Sequence, residues 1–78
     1  MTKEEKIKES VEEFYAGKYM TLQAWTAGKR KLIWNLWKAV SLEMERTKAY
    51  YEVARLSNSS YSMVVEVVKG REREQTAS

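Results

Sequence analysis

Lys29, Arg30 and Lys31 stand in an unbroken row behind Gly28, and Trp34, Asn35, Trp37 and Lys38 follow within the next three turns of a helix. Guanidinium and ammonium groups neutralise phosphates, and Arg and Asn can each make bidentate contacts, to guanine and adenine edges respectively. An indole beside them can stack on a base or anchor a protein interface. No acidic residue occurs between Phe14 and Leu42, whereas Lys18, Lys29, Arg30, Lys31 and Lys38 all fall there. The net charge of +3 is thus concentrated in the middle of the chain: residues 1–13 set three lysines against five glutamates, and residues 43–78 balance six cations with six glutamates. A block of this kind attracts polyanions through contacts that weaken with salt, although an ordinary solvated helix face has the same composition. Trp34 lies about 60° from Trp37 on a helical wheel, at the edge of the basic arc, where it either stacks on a ligand or belongs to the core.

Other chemistry finds no residues to carry it. Histidine and cysteine are absent and all eleven acidic residues are glutamates. Neither a nucleophile with an imidazole base nor a thiolate or imidazole metal site can be drawn. Glu12 and Glu13 would diverge by about 100° on a helix, a solvated face rather than an acid and base pair. A glycine-rich phosphate loop is missing too. The expectation is a protein that is not an enzyme and needs neither cofactor nor metal. The charged first thirteen residues have no apolar run behind them, and no stretch approaches about 18 apolar residues, so a cytoplasmic chain that does not enter membranes is expected.

The basic block needs helices to position it. Seventy-eight residues with no proline and three glycines favour one all-α domain, expected over residues 1–70 with a disordered tail over 71–78. Thr2 and Glu5 form a capping-box pattern, and Ile7, Val11, Phe14 and Tyr15 make one stripe, which predicts a first helix over Lys3–Ala16 closed by a left-handed Gly17. Thr21 can cap a short second helix ending at Gly28. From Lys29 to about Leu56, Leu32, Ile33, Leu36, Trp37, Val40, Met44 and Tyr51 fall with other apolar residues within about 160° of arc, which predicts one long third helix. Ser57–Ser60 breaks the pattern. Residues 61–69 then read as a fourth helix, with a strand as the alternative because of the valine run.

The second helix, the Gly28 turn and the third helix together resemble the helix-turn-helix of DNA-binding proteins. Ala24, small where two helices would cross, Gly28 in the turn, and Trp34 and Trp37 as residues seating the second helix carry the resemblance. Gln23 and Lys29 depart from it, standing where that family has apolar residues. The resemblance implies a recognition helix in the major groove of double-stranded DNA, with Lys29, Arg30, Lys31, Trp34, Asn35 and Lys38 as the contacting residues. The helices followed by "ERTKAYYEVAR" are also faintly similar to phage small terminase subunits, which implies a regulator or packaging factor of a phage or mobile element.

The apolar stripe supports a different expectation. A chain this small buries only about 60–65% of its unfolded surface, and a long helix presenting Leu32, Ile33, Leu36, Trp37, Val40, Met44 and Tyr51 as a core or oligomer face exceeds what the remaining helices cover. A homo-oligomer is expected on that ground. A protein-interaction module, such as a phage-encoded inhibitor docking a helical face onto a host protein, stays open beside the DNA-binding reading.

Overall fold

The computed structural model describes residues 2–77, which form four helices: α1 (Lys3–Ala16), α2 (Leu22–Val40), α3 (Arg46–Ser57) and α4 (Tyr61–Ala77). The fold is all-α, with α2 at its centre packed against each of the other three. Thr2 Oγ1 accepts from the Glu5 amide at 3.2 Å, which starts α1 where its capping pattern predicts. Thr21 caps α2 in the same way, accepting from the Ala24 amide at 3.0 Å. Replacing Thr21 by Ala should lower stability by about 1 kcal/mol, measured as a shift in urea midpoint at unchanged slope.

Gly28 does not end a helix. The helix α2 runs through it without interruption, so the predicted turn and the helix-turn-helix built on it are not formed. The glycine has a packing reason instead. A Cβ at Gly28 would lie 2.7 Å from the Tyr19 ring, and one at Gly17 would lie 2.6 Å from the Tyr19 hydroxyl. The two glycines therefore form a slot for Tyr19, whose hydroxyl donates to the Phe14 carbonyl at 3.0 Å. Placing glycine inside a helix costs about 1 kcal/mol; here the cost is offset by seating the ring that ties the end of α1 to the side of α2. Gly17, expected in the left-handed region, is extended at φ −67° and ψ 144°.

The long third helix is not formed either. Residues 41–45 turn the chain back, so that α3 lies against α2 with the Tyr50 ring stacked on Trp37, centroids 4.8 Å apart. Two helices folded together bury each other's apolar stripes, whereas one straight rod of about 40 Å would leave much of its stripe in water. The reversal also changes which residues face inward. Leu32, Ile33, Leu36, Trp37 and Val40 are buried as predicted, joined from α3 by Ala49, Tyr50 and Val53. Met44 falls in the connection and Tyr51 on the outside of α3, so both are exposed and neither belongs to the core.

Asn58 adopts the left-handed conformation (φ 54°, ψ 47°) after α3. Its amide reaches the Arg55 carbonyl, and the Ser59 amide reaches the Ala54 carbonyl at 2.9 Å, the paired bonds of a Schellman cap. Ser60 Oγ then accepts from the Met63 amide at 3.2 Å and opens α4. The valine run is helical, not a strand: Val64, Val67 and Val68 close the core. From Arg71 on, where a disordered tail was expected, α4 continues to Ala77; Ser78 lies outside the described residues. Arg46 Nη1 and Nη2 grip the Glu72 carboxylate at 3.2 and 2.5 Å, fastening this last stretch to the start of α3. That paired contact holds the Glu72 carboxyl below its ordinary range and raises Arg46.

Candidate nucleic-acid interface

The outward side of α2 carries Gln23, Ala27, Arg30, Lys31 and Lys38 in solvent, with Trp34 and Asn35 half-buried at its margins. Arg30, Lys31 and Lys38 share about 100° of arc: Lys31 and Lys38, seven apart, lie within about 20° of each other, and Arg30 lies at the far edge of the arc. No acidic residue lies anywhere on the helix. Its far side is held by Ile33, Leu36 and Val40, each fully or almost fully buried, which fixes the outer side of α2 with Lys31 and Lys38 toward α1 and Arg30 toward α4.

Lys29 is not part of this surface. It is 4% exposed, and its Nζ donates to the Ser57 carbonyl and, at 3.4 Å, to the Asn58 carbonyl. Those carbonyls end α3, where helical partners have run out and a cation is favoured. The ammonium also lies 5.3 Å from the Phe14 ring centroid and 5.5 Å from that of Trp25. Burial lowers the Lys29 pKa, while the two carbonyls favour keeping its proton. A cation whose pKa falls on folding makes the native state more stable as pH rises toward the lysine range. Lys29→Met keeps the packing of the methylene stem but leaves two carbonyls short of a donor. It should lower stability by about 1–2 kcal/mol in urea unfolding, against which release of a desolvated charge is already set. Because Lys29 does not reach solvent, the same variant should not change any affinity that depends on the outer face of α2.

The remaining predicted residues are distributed along the helix. Lys31 Nζ approaches Glu13 Oε1 at 4.0 Å with both side chains in water, a pairing too loose to neutralise it. Asn35 and Lys38 border an open groove against α1 that also holds Lys3, Lys6, Glu9 and Glu43, and in it Lys3 bonds Glu43 at 2.7 Å. Trp34 packs against the core from its margin. Arg30 faces the other way, into a groove between α2 and α4 lined by Lys69, Arg71 and Arg73 together with Glu66 and Glu74. These α4 cations are hidden at the level of sequence because Gly70 and the alternating charges after it suggest a frayed end. The available signal is the valine stripe, which needs only to be continued in phase past Gly70.

A second feature lies at the other end of α2. Leu22 and Trp25 precede Lys29 at helical spacing on the same stripe as the core, yet Leu22 is 77% and Trp25 41% exposed. Met20, 91% exposed, precedes them in the connection from α1. The apolar stripe thus extends past the last layer of the bundle, and Lys29 marks the point at which the covering helices stop.

Compared with protein-family models, with curated proteins and with solved structures, the chain matches none. Among the described residues no helix is long and apolar enough to cross a membrane.

Proposed function

We propose that the protein binds double-stranded DNA through phosphate contacts along the outer side of α2. The observation that carries this reading is the exposure of all three of Arg30, Lys31 and Lys38 on one helix without a single acidic residue, Lys31 and Lys38 toward α1 and Arg30 toward α4. With α2 continuous through Gly28, the reading rests on charge and exposure and no longer on a helix-turn-helix. Phosphate neutralisation is the main term in this reading, and half-buried Asn35 at the margin is its candidate for a base-edge contact. A role as a small regulator or packaging factor of a phage or mobile element accords with such binding. Anisotropy of a labelled 20-base-pair duplex tests it. Three phosphate contacts give a slope of log affinity against log salt of about −2.7, so binding should weaken roughly 40-fold between 50 and 200 mM salt. No binding at 50 mM, or an affinity indifferent to salt, overturns the reading.

One observation favours docking onto another protein as a second reading: the uncovered stripe of Met20, Leu22 and Trp25. Aromatic and large aliphatic residues of this kind are typical interface anchors. Sedimentation separates its two forms. A dimer that Leu22→Gln returns to monomer assigns the stripe to a second copy of this chain; a monomer leaves it to a host protein.

A further inference from the structure

We infer that the groove between α2 and the last turns of α4 carries the phosphate backbone onward from Arg30, so that the polyanion footprint crosses two helices instead of one. This rests on the proposed DNA binding and extends it to residues outside α2. The groove has a volume of about 430 Å³ and is bordered by Arg30, Lys69, Arg71 and Arg73, against Glu66 and Glu74. Cations therefore exceed carboxylates by four to two along its walls. From Glu66 to Glu74 it follows α4 for about 12 Å, at 1.5 Å per residue. Because a strand winds around the duplex axis, its successive phosphates lie farther apart than the ~3.4 Å rise, and that length accommodates about two of them.

Gly70 lies on the wall of this groove, in the interior of α4. A Cβ added there would meet nothing within 4 Å, in contrast to Gly17 and Gly28, which each make room for Tyr19. No neighbour in the chain needs the missing side chain, and glycine is among the poorest residues for a helix interior. What its absence does provide is a bare stretch of backbone on the groove wall, between Glu66 and Glu74 and flanked by Lys69 and Arg71, open to the close approach of an extended ligand. The cationic walls and this bare backbone together favour a strand of phosphates over a compact ion.

The test uses the full chain and the same labelled duplex, with two variants that leave the α2 cations in place. Lys69→Gln combined with Arg71→Gln removes charge from exposed positions of α4 and leaves the hydrogen bonds between Arg46 and Glu72 in place. Gly70→Gln alters no charge, fills the groove and improves helix propensity, so loss of folding cannot explain its effect. With Lys69 and Arg71 engaged, the wild-type slope should be steeper than the α2 face alone requires. The double variant should reduce its magnitude by about 1.8, and Gly70→Gln should reduce it in the same direction. Slopes equal to wild type in both variants overturn the inference while the α2 reading stands. Failure of the wild-type chain to bind at low salt removes both.

Discussion

Leu36→Ala is expected to lose about 3–5 kcal/mol of stability, the greater part of what a domain of this size has. Leu36 is fully buried on α2, the helix that touches all three others, and it belongs to the single cluster that joins them. Truncation removes the transfer free energy of three carbons and leaves a cavity whose walls, fixed on separate helices, cannot close on it. Domains of this size lie near the low end of the usual 5–15 kcal/mol, so most of the margin disappears. Urea unfolding followed by circular dichroism should show the midpoint fall sharply or no folded baseline at all. Leu42→Ala makes the same chemical change at a position 85% exposed and should move stability by no more than about 0.5 kcal/mol. Equal losses in the two variants would mean that Leu36 does not occupy the centre of the core.

The contrast between two leucines of one segment indicates what the sequence could reveal. Local signals were legible. Thr2 with Glu5 and Thr21 mark helix starts, and each hydroxyl accepts the amide it should. The inward residues Leu32, Ile33, Leu36, Trp37 and Val40 follow from periodicity within a single helix. The misread positions depend on residues distant in sequence. Gly28 is ordinarily a helix terminator, and nothing near it announces that the Tyr19 ring needs the space of its missing side chain. The turn at residues 41–45 is hidden because the apolar stripe keeps its phase across it; only the need to cover that stripe bends the chain back. Lys29 is the instructive case. By residue type it joined Arg30 and Lys31, but its angle on the wheel lies between those of Leu36 and Val40, in the middle of the buried arc. Period outweighed residue type there because the carbonyls of Ser57 and Asn58 supply the polar partners that a buried ammonium requires. On the surface proposed to bind DNA, the cations of α2 were legible from their spacing, whereas those of α4 depend on a helix continuing past Gly70.

Substituting Arg30, Lys31 and Lys38 together by Gln is expected to weaken duplex binding at 50 mM salt by roughly 100-fold, at about 1 kcal/mol for each phosphate left without its cation. The three side chains are exposed, and glutamine is a good helix former, so helicity and the urea midpoint should stay close to wild type. The variant also lowers the net charge from +3 to zero, and a loss of long-range attraction could by itself imitate the loss of a binding face. Glutamine at Lys8, Lys48 and Arg55 removes the same charge from α1 and α3, where Lys8 lies 3.8 Å from Glu12 and Arg55 bonds Glu52. If α2 presents the binding surface, this second triple variant retains most of the affinity and most of the salt slope, and the first retains neither. Equal losses from the two would reduce the interaction to net charge, and α2 would have no special claim to the phosphates. The outcome depends on position alone, since both variants carry the same charge.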